Sequence, residues 1–135
     1  MSDRGPKARP WVENAEEDFR IATHELERGA DAALGGICFH SQQCVEKYLK
    51  ALLVLHRVDF PKMHDLEILL GMVPKSVLNI SADDVLPLNR YSIEGRYPGD
   101  WEMPSRKEAE EALELMTKSR GAIRKCLPKD ALPGT

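Results

Sequence analysis

Ile37-Cys38-Phe39-His40-Ser41-Gln42-Gln43-Cys44-Val45-Glu46-Lys47-Tyr48-Leu49-Lys50-Ala51-Leu52-Leu53-Val54-Leu55 decides the fold. Ile37, Cys38, Ser41, Cys44, Val45, Tyr48, Leu49, Leu52 and Leu55 recur at steps of three and four, the broad apolar stripe of one helix face. The spacing predicts a helix over about residues 31–56. Gly35 and Gly36 weaken its beginning, or let another helix come close. Arg57, with Asp59 and Pro61 just beyond, marks the exit.

On the N-terminal side, Trp11, Ala15, Phe19, Ala22 and Leu26 step by four, four, three and four and draw a second amphipathic helix. Pro10 suits its first turn and Gly29 its stop. Residues 1–10, with Gly5, Pro6 and Pro10 and no apolar period, read as a flexible tail. On the C-terminal side, Asp65 is a candidate N-cap for a short helix with apolar positions Leu66, Leu69, Leu70 and Val73. Residues 75–90 predict short helical pieces interrupted by Pro87. Residues 91–104 are loop-like and gather Tyr91, Arg96, Tyr97 and Trp101. Ser105 with Glu108 forms a capping-box pattern. The helix it opens carries Ala109, Ala112, Leu113, Met116, Ser119, Ile123 and Cys126 on its buried seam, and Pro128 ends it. The expectation is an all-α, up-and-down antiparallel bundle of three or four main helices plus short ones. It occupies residues 11–127 between flexible tails at 1–10 and 128–135.

Composition agrees with one such domain. The 135 residues are 42% hydrophobic and 30% charged, well away from disorder. Aromatics at 6% leave the core to Leu, Ile, Val and Ala. A net charge of −3 gives no global drive toward nucleic acid or anionic membranes. No apolar run approaches the roughly 20 residues of a membrane span, and the polar start lacks the apolar stretch of a signal peptide. The expected location is cytoplasmic, without a membrane partner. Cys38, Cys44 and Cys126 form no C-x-x-C pair and read as reduced packing residues.

Three groups of residues could carry chemistry. His40, Gln43, Lys47 and Lys50 fall within about an 80° arc of the long helix, with Gly36 on the same line. The arc reads either as a solvated face or as a strip that approaches a phosphate or a partner backbone. His64-Asp65 at a helix start suggests acid–base work; the plainer reading makes Asp65 a cap and His64 a packing residue. In the aromatic loop, Arg96 could clamp a phosphate or carboxylate and Tyr91 and Tyr97 could stack on a base. Equally, Arg96 could pair with an acid while the tyrosines plug the bundle end. No phosphate-cradling glycine loop, H-E-x-x-H or nucleophile elbow is present, so no metal, cofactor or catalytic residue is assigned.

The stretch from Phe39 to Leu53 resembles the signature helix of the HEPN family. Trp11, Ala15, Asp18-Phe19, His64-Asp65-Leu66 and Arg96-Tyr97-Pro98 fall in the order that family shows, so the resemblance covers about residues 11–126. It implies a helical bundle, commonly a homodimer, in a prokaryotic cytoplasm. Such proteins are often encoded beside a minimal nucleotidyltransferase as a toxin–antitoxin-like pair. Some members are proposed to bind nucleotides, and others are metal-independent ribonucleases. The ribonuclease branch carries an Arg and, with four to six residues between them, a His near the last helix. Here no His follows His64, and the one match, Arg57 to His64, lies at the exit of the long helix.

Three expectations follow. The first is a non-catalytic module that binds a nucleotide, RNA or other polyanion, or docks a nucleotidyltransferase, through His40, Gln43, Lys47, Lys50, Tyr91, Arg96 and Tyr97, with His64 and Asp65 as secondary candidates. The second is a metal-independent endoribonuclease with an unusual Arg–His pair. The third is a structural dimerisation module in which the same residues only pack.

Overall fold

A computed structural model describes residues 4–92 and 102–133. Four α-helices form there: α1 (Gly5–Leu26), α2 (Leu34–Leu55), α3 (Leu66–Met72) and α4 (Arg106–Arg124). Short 3-10 turns at Ala82–Asp84 and Leu86–Tyr91 supply the expected helical pieces after α3. Among the described residues there is no strand, and no helix is long and apolar enough to cross a membrane.

The central helix is α2, because its apolar stripe is wide enough to be covered from several sides. Ile37, Cys44, Tyr48, Leu49, Ala51, Leu52 and Leu53 are fully buried. α1 covers one side, α4 a second, and α3 with the Leu86–Tyr91 turn also packs against it. α1 lays small side chains on α2: Ala8, Val12, Ala15 and Ala22 are fully buried. Its larger Trp11, Phe19 and Leu26, expected on the seam itself, line the edges half-buried, since small residues let the two backbones approach and push bulk to the sides.

The direction of the helices follows from their connections. The short link 27–33 turns α2 antiparallel to α1, with Gly29 at φ 69° where a left-handed residue is needed. The Arg106 guanidinium donates to the Gly29 carbonyl at 2.9 Å. α4 therefore starts at the same end as α2 and runs alongside it, antiparallel to α1. The long crossover 56–105 carries the chain back. It leaves α2 through Arg57 at φ 59°, where the Val58 N–H closes on the Leu53 carbonyl at 2.9 Å and the Arg57 N–H on that of Val54 at 3.2 Å.

The tails are shorter than the sequence predicts. α1 begins at Gly5, and Pro10 lies inside it. Pro6 occupies the first turn, where its missing N–H costs nothing. The Arg4 guanidinium, donating twice to the Val54 carbonyl at 3.1 and 2.8 Å, ties the start of α1 to the end of α2. At the other terminus Lys129–Ala131 forms a 3-10 turn against α1, with Ala131 fully buried. Tertiary burial of Ala8 and Ala131 outweighs the local cost of Pro10, which a periodicity reading cannot see.

The expected caps are present. Asp65 accepts from the Glu67 and Ile68 N–H groups. Ser105 and Glu108 exchange both bonds of a capping box. Cys38 and Cys44 are buried. Burial pushes the Cys38 thiol up to about 11 and that of Cys44 further, so neither presents a thiolate at neutral pH.

Candidate functional site

The polar arc of α2 emerges between α1 and the segment leading into α3, and buried carboxylates organise it. The first is Asp18, whose side chain is 7% exposed. It stands on the inner face of α1 between Ala15 and Ala22. One oxygen meets His40 Nδ1 at 2.7 Å and the other accepts from Lys47 Nζ at 2.7 Å. His40 also packs edge-on against Phe39, ring centroids 5.1 Å apart.

The second carboxylate is Glu46, 3% exposed. It accepts from Lys50 Nζ at 3.0 Å and meets His64 Nδ1 at 2.9 Å. Gln42 Nε2 donates to Glu46 at 3.1 Å and to the His64 carbonyl at 3.2 Å. Gln43 Nε2 reaches Gln42 Oε1 at 2.7 Å and Glu46 Oε1 at 3.3 Å. Each carboxylate thus pairs with one lysine and with Nδ1 of one histidine, and Gln43 lies between the two groups.

Of the residues singled out in the sequence, His40, Gln43, Lys47 and His64 come together on this half-exposed edge. Lys50 belongs to the same cluster but is buried, its ammonium 5.6 Å from the ring centres of both Trp11 and Phe60. It balances Glu46 and is not a surface cation. Asp65 caps α3 beside His64. Tyr91 lies elsewhere, half-buried near the start of α4. Arg90 donates to its hydroxyl and to Glu108, both at 2.8 Å. Burial pushes the Tyr91 hydroxyl up, with the Arg90 hydrogen bond opposing and Cys38 adding to it. Cys38 is two positions before His40, about 200° around α2, so Tyr91 faces the opposite side of that helix. Arg96 and Tyr97 lie outside the described residues.

Sequence reasoning missed Asp18, Glu46 and a third cluster. Asp18 and Glu46 occupy core positions, and an acid at an apolar register was the available signal. In the third cluster, Glu16 of α1 takes two hydrogen bonds from Arg120 at 2.6 and 2.8 Å and one from the Tyr48 hydroxyl. Arg124 donates to Tyr48 at 3.0 Å. Burial pushes the Glu16 carboxyl up, but the bonds from Arg120 and Tyr48 and the charges of Arg120 and Arg124 outweigh it and hold the group below its ordinary value.

Beside His64 opens a cleft of about 420 Å³, lined in part by Lys62, Met63, Asp65, Ile68 and Asn89. Among the described residues no group of three His, Cys, Asp or Glu side chains could hold a metal ion. The edge is equipped for hydrogen bonding and proton exchange. A carboxylate on Nδ1 orients an imidazole and turns Nε2 to the other side.

A profile of the HEPN domain matches residues 8–125. The chain belongs to the HEPN domain family. Two solved structures share the HEPN fold with it. TT1696 from Thermus thermophilus is 32% identical, with a TM-score of 0.73 over 90% of this chain and 98% of that one. ST0689, an archaeal HEPN homologue, is 21% identical, with a TM-score of 0.64 over 87% of this chain and 95% of that one, and shows likeness of fold alone. Curated proteins give no match. The HEPN profile spans Asp18, the α2 edge and the Glu46–His64 pair.

Proposed function

We propose that this HEPN chain is a non-catalytic binding module that holds a phosphate-bearing ligand, a nucleotide or an RNA phosphate, on the half-exposed edge of α2. One observation carries the reading: His40 and His64 each rest Nδ1 on a buried carboxylate, with Gln43 between them. The two carboxylates and their two lysines cancel in charge. An imidazole held at Nδ1 by a carboxylate is fixed in orientation and turns Nε2 toward a ligand. Gln43 and Lys47 add neutral and cationic donors on the same line. A minimal nucleotidyltransferase partner, as in a toxin–antitoxin-like pair, would cover this edge and compete with the nucleotide.

Isothermal titration with ATP tests the reading. Saturable heat at up to millimolar nucleotide is expected, with binding weakened about tenfold by His40→Ala, the loss of one charge-assisted hydrogen bond. Absence of heat with ATP and with other nucleotides alike at that concentration would sink it.

The Asp18–His40 pair favours one alternative, since an imidazole backed by a carboxylate is also the arrangement of a general base. Metal-independent RNA cleavage would then require His40. Purified chain incubated with RNA and a chelator leaves the RNA intact on the binding reading. Cleavage that disappears in His40→Ala would establish the enzyme instead.

A further inference from the structure

We propose that the cleft beside His64 selects a guanine base, an inference that rests on the reading of the chain as a nucleotide-binding module. The cleft lies between the segment entering α3 and the 3-10 turn Leu86–Tyr91. Its volume of about 420 Å³ falls within the roughly 300–1,000 Å³ of small-ligand sites.

Its polar wall is fixed in one orientation. Asn89 Oδ1 accepts the Leu66 N–H at 2.9 Å, which compels the Asn89 amide nitrogen to face Asp65, where it donates to Oδ1 at 3.2 Å. Asp65 Oδ1 also accepts from the Glu67 and Ile68 N–H groups at 2.9 and 3.2 Å. All three bonds fall on Oδ1, and Asp65 Oδ2 accepts none from the described residues. A carboxylate oxygen accepts only, so what meets Oδ2 must donate. Asn89 keeps one amide N–H and one lone pair for the same ligand.

Guanine alone among the common bases places two donors side by side on its pairing edge, the ring N1–H and the exocyclic amine. Adenine and cytosine turn a ring-nitrogen lone pair toward an acceptor there, and uracil flanks its one N–H with carbonyls. Met63 and Ile68 offer apolar surface to the flat of the base, and Ile68 is 48% exposed. At the rim stand the carboxylate-backed His64 and Lys62, which makes no ion pair with the described residues. They suit the phosphate of the same nucleotide.

The test is titration calorimetry of the full chain with guanosine monophosphate, adenosine monophosphate and the Asp65→Asn variant. Asn caps a helix as well as Asp does, so Asp65→Asn keeps α3 while replacing the free acceptor by a donor. The expected result is guanine nucleotide at least about tenfold tighter than adenine on the natural chain, a margin within reach of sites that hydrogen-bond a base edge. The preference is lost or reversed in Asp65→Asn. Equal binding of the two nucleotides overturns base selection and leaves the nucleotide reading standing; binding of neither overturns both. If Asp65→Asn fails to fold, the side-chain amide signals of Asn89 in a nuclear magnetic resonance spectrum of the natural chain report the same contact. They should move with guanosine monophosphate, and signals unmoved at saturation overturn the proposal.

Discussion

Glu46 illustrates what a single residue does here. It is 3% exposed, and Lys50 beside it is 6% exposed, so neither ion can fall back on water if the other is lost. Breaking such a pair from one side costs about 3–5 kcal/mol, whereas replacing both partners by apolar groups of similar size is often neutral. Glu46→Ala should therefore destabilise the chain by about 3 kcal/mol or more in urea unfolding, and Glu46→Leu combined with Lys50→Met should recover most of that. If the single variant costs no more than the double one, the burial argument fails. Glu16, half-buried with a side chain 13% exposed, makes a complementary case. Its folded value is lowered from 4.5, so the group holds more protons in the unfolded chain than in the native one. Its contribution is complete above about pH 4.5 and disappears as pH falls through the lowered value. Acid unfolding curves of Glu16→Gln should be flatter below pH 4.5 than those of the natural chain, and parallel curves would contradict this. Neither acid stood out in the sequence. A carboxylate at a core register looks like a break in periodicity until the histidine, lysine or arginine from another helix is seen facing it.

At the scale of elements, the helices legible from sequence are those whose start is written in local chemistry. α4 opens on Ser105, whose hydroxyl accepts the Glu108 N–H at 3.1 Å while Glu108 returns a bond to the Ser105 N–H at 2.8 Å. Both bonds are intrinsic to four consecutive residues, so the pattern could be read directly. Ser105→Ala should cost about 1 kcal/mol, visible as a lower melting temperature. Retention of full stability would mean that the first turn of α4 is held by tertiary contacts instead. α2 was legible for a different reason: its apolar stripe is wide and runs unbroken at helical spacing from Ile37 to Leu52. The start of α1 was not legible. Gly5, Pro6 and Pro10 argue locally against a helix, and the contacts that hold it there come from Val54 and Ala131, far away in the chain. The polar arc on α2 was visible as spacing, but spacing could not tell that Lys50 turns inward while His40, Gln43 and Lys47 stay at the edge. That distinction depends on the rings of Trp11 and Phe60, which come from two other segments.

The whole molecule is closed by its ends. α1 packs against both other long helices, and its beginning meets the end of α2 through Arg4 and the C-terminal return through Gly5. Ala8 and Ala131 are fully buried there, and an added Cβ on Gly5 would overlap the Asp130 carboxylate. The same α1 carries Asp18, which holds His40 and Lys47 in place about three turns further along. Deleting residues 128–135 should therefore loosen α1 from its beginning. Amides of Ala8, Arg9, Trp11 and Val12 should exchange with solvent much faster while those of Leu49 to Leu53 in α2 keep their protection, the behaviour of a terminal unit that opens without global unfolding. Fraying that stops before Ala15 leaves Asp18 seated, and ligand titration should then be unchanged. Fraying that passes Ala22 releases Asp18 and should weaken binding at His40 and Lys47 as well. Hydrogen exchange and calorimetry on the same truncated chain separate these cases, and α1 amides as protected as those of the intact protein would show that the C-terminal return does not hold α1 in place.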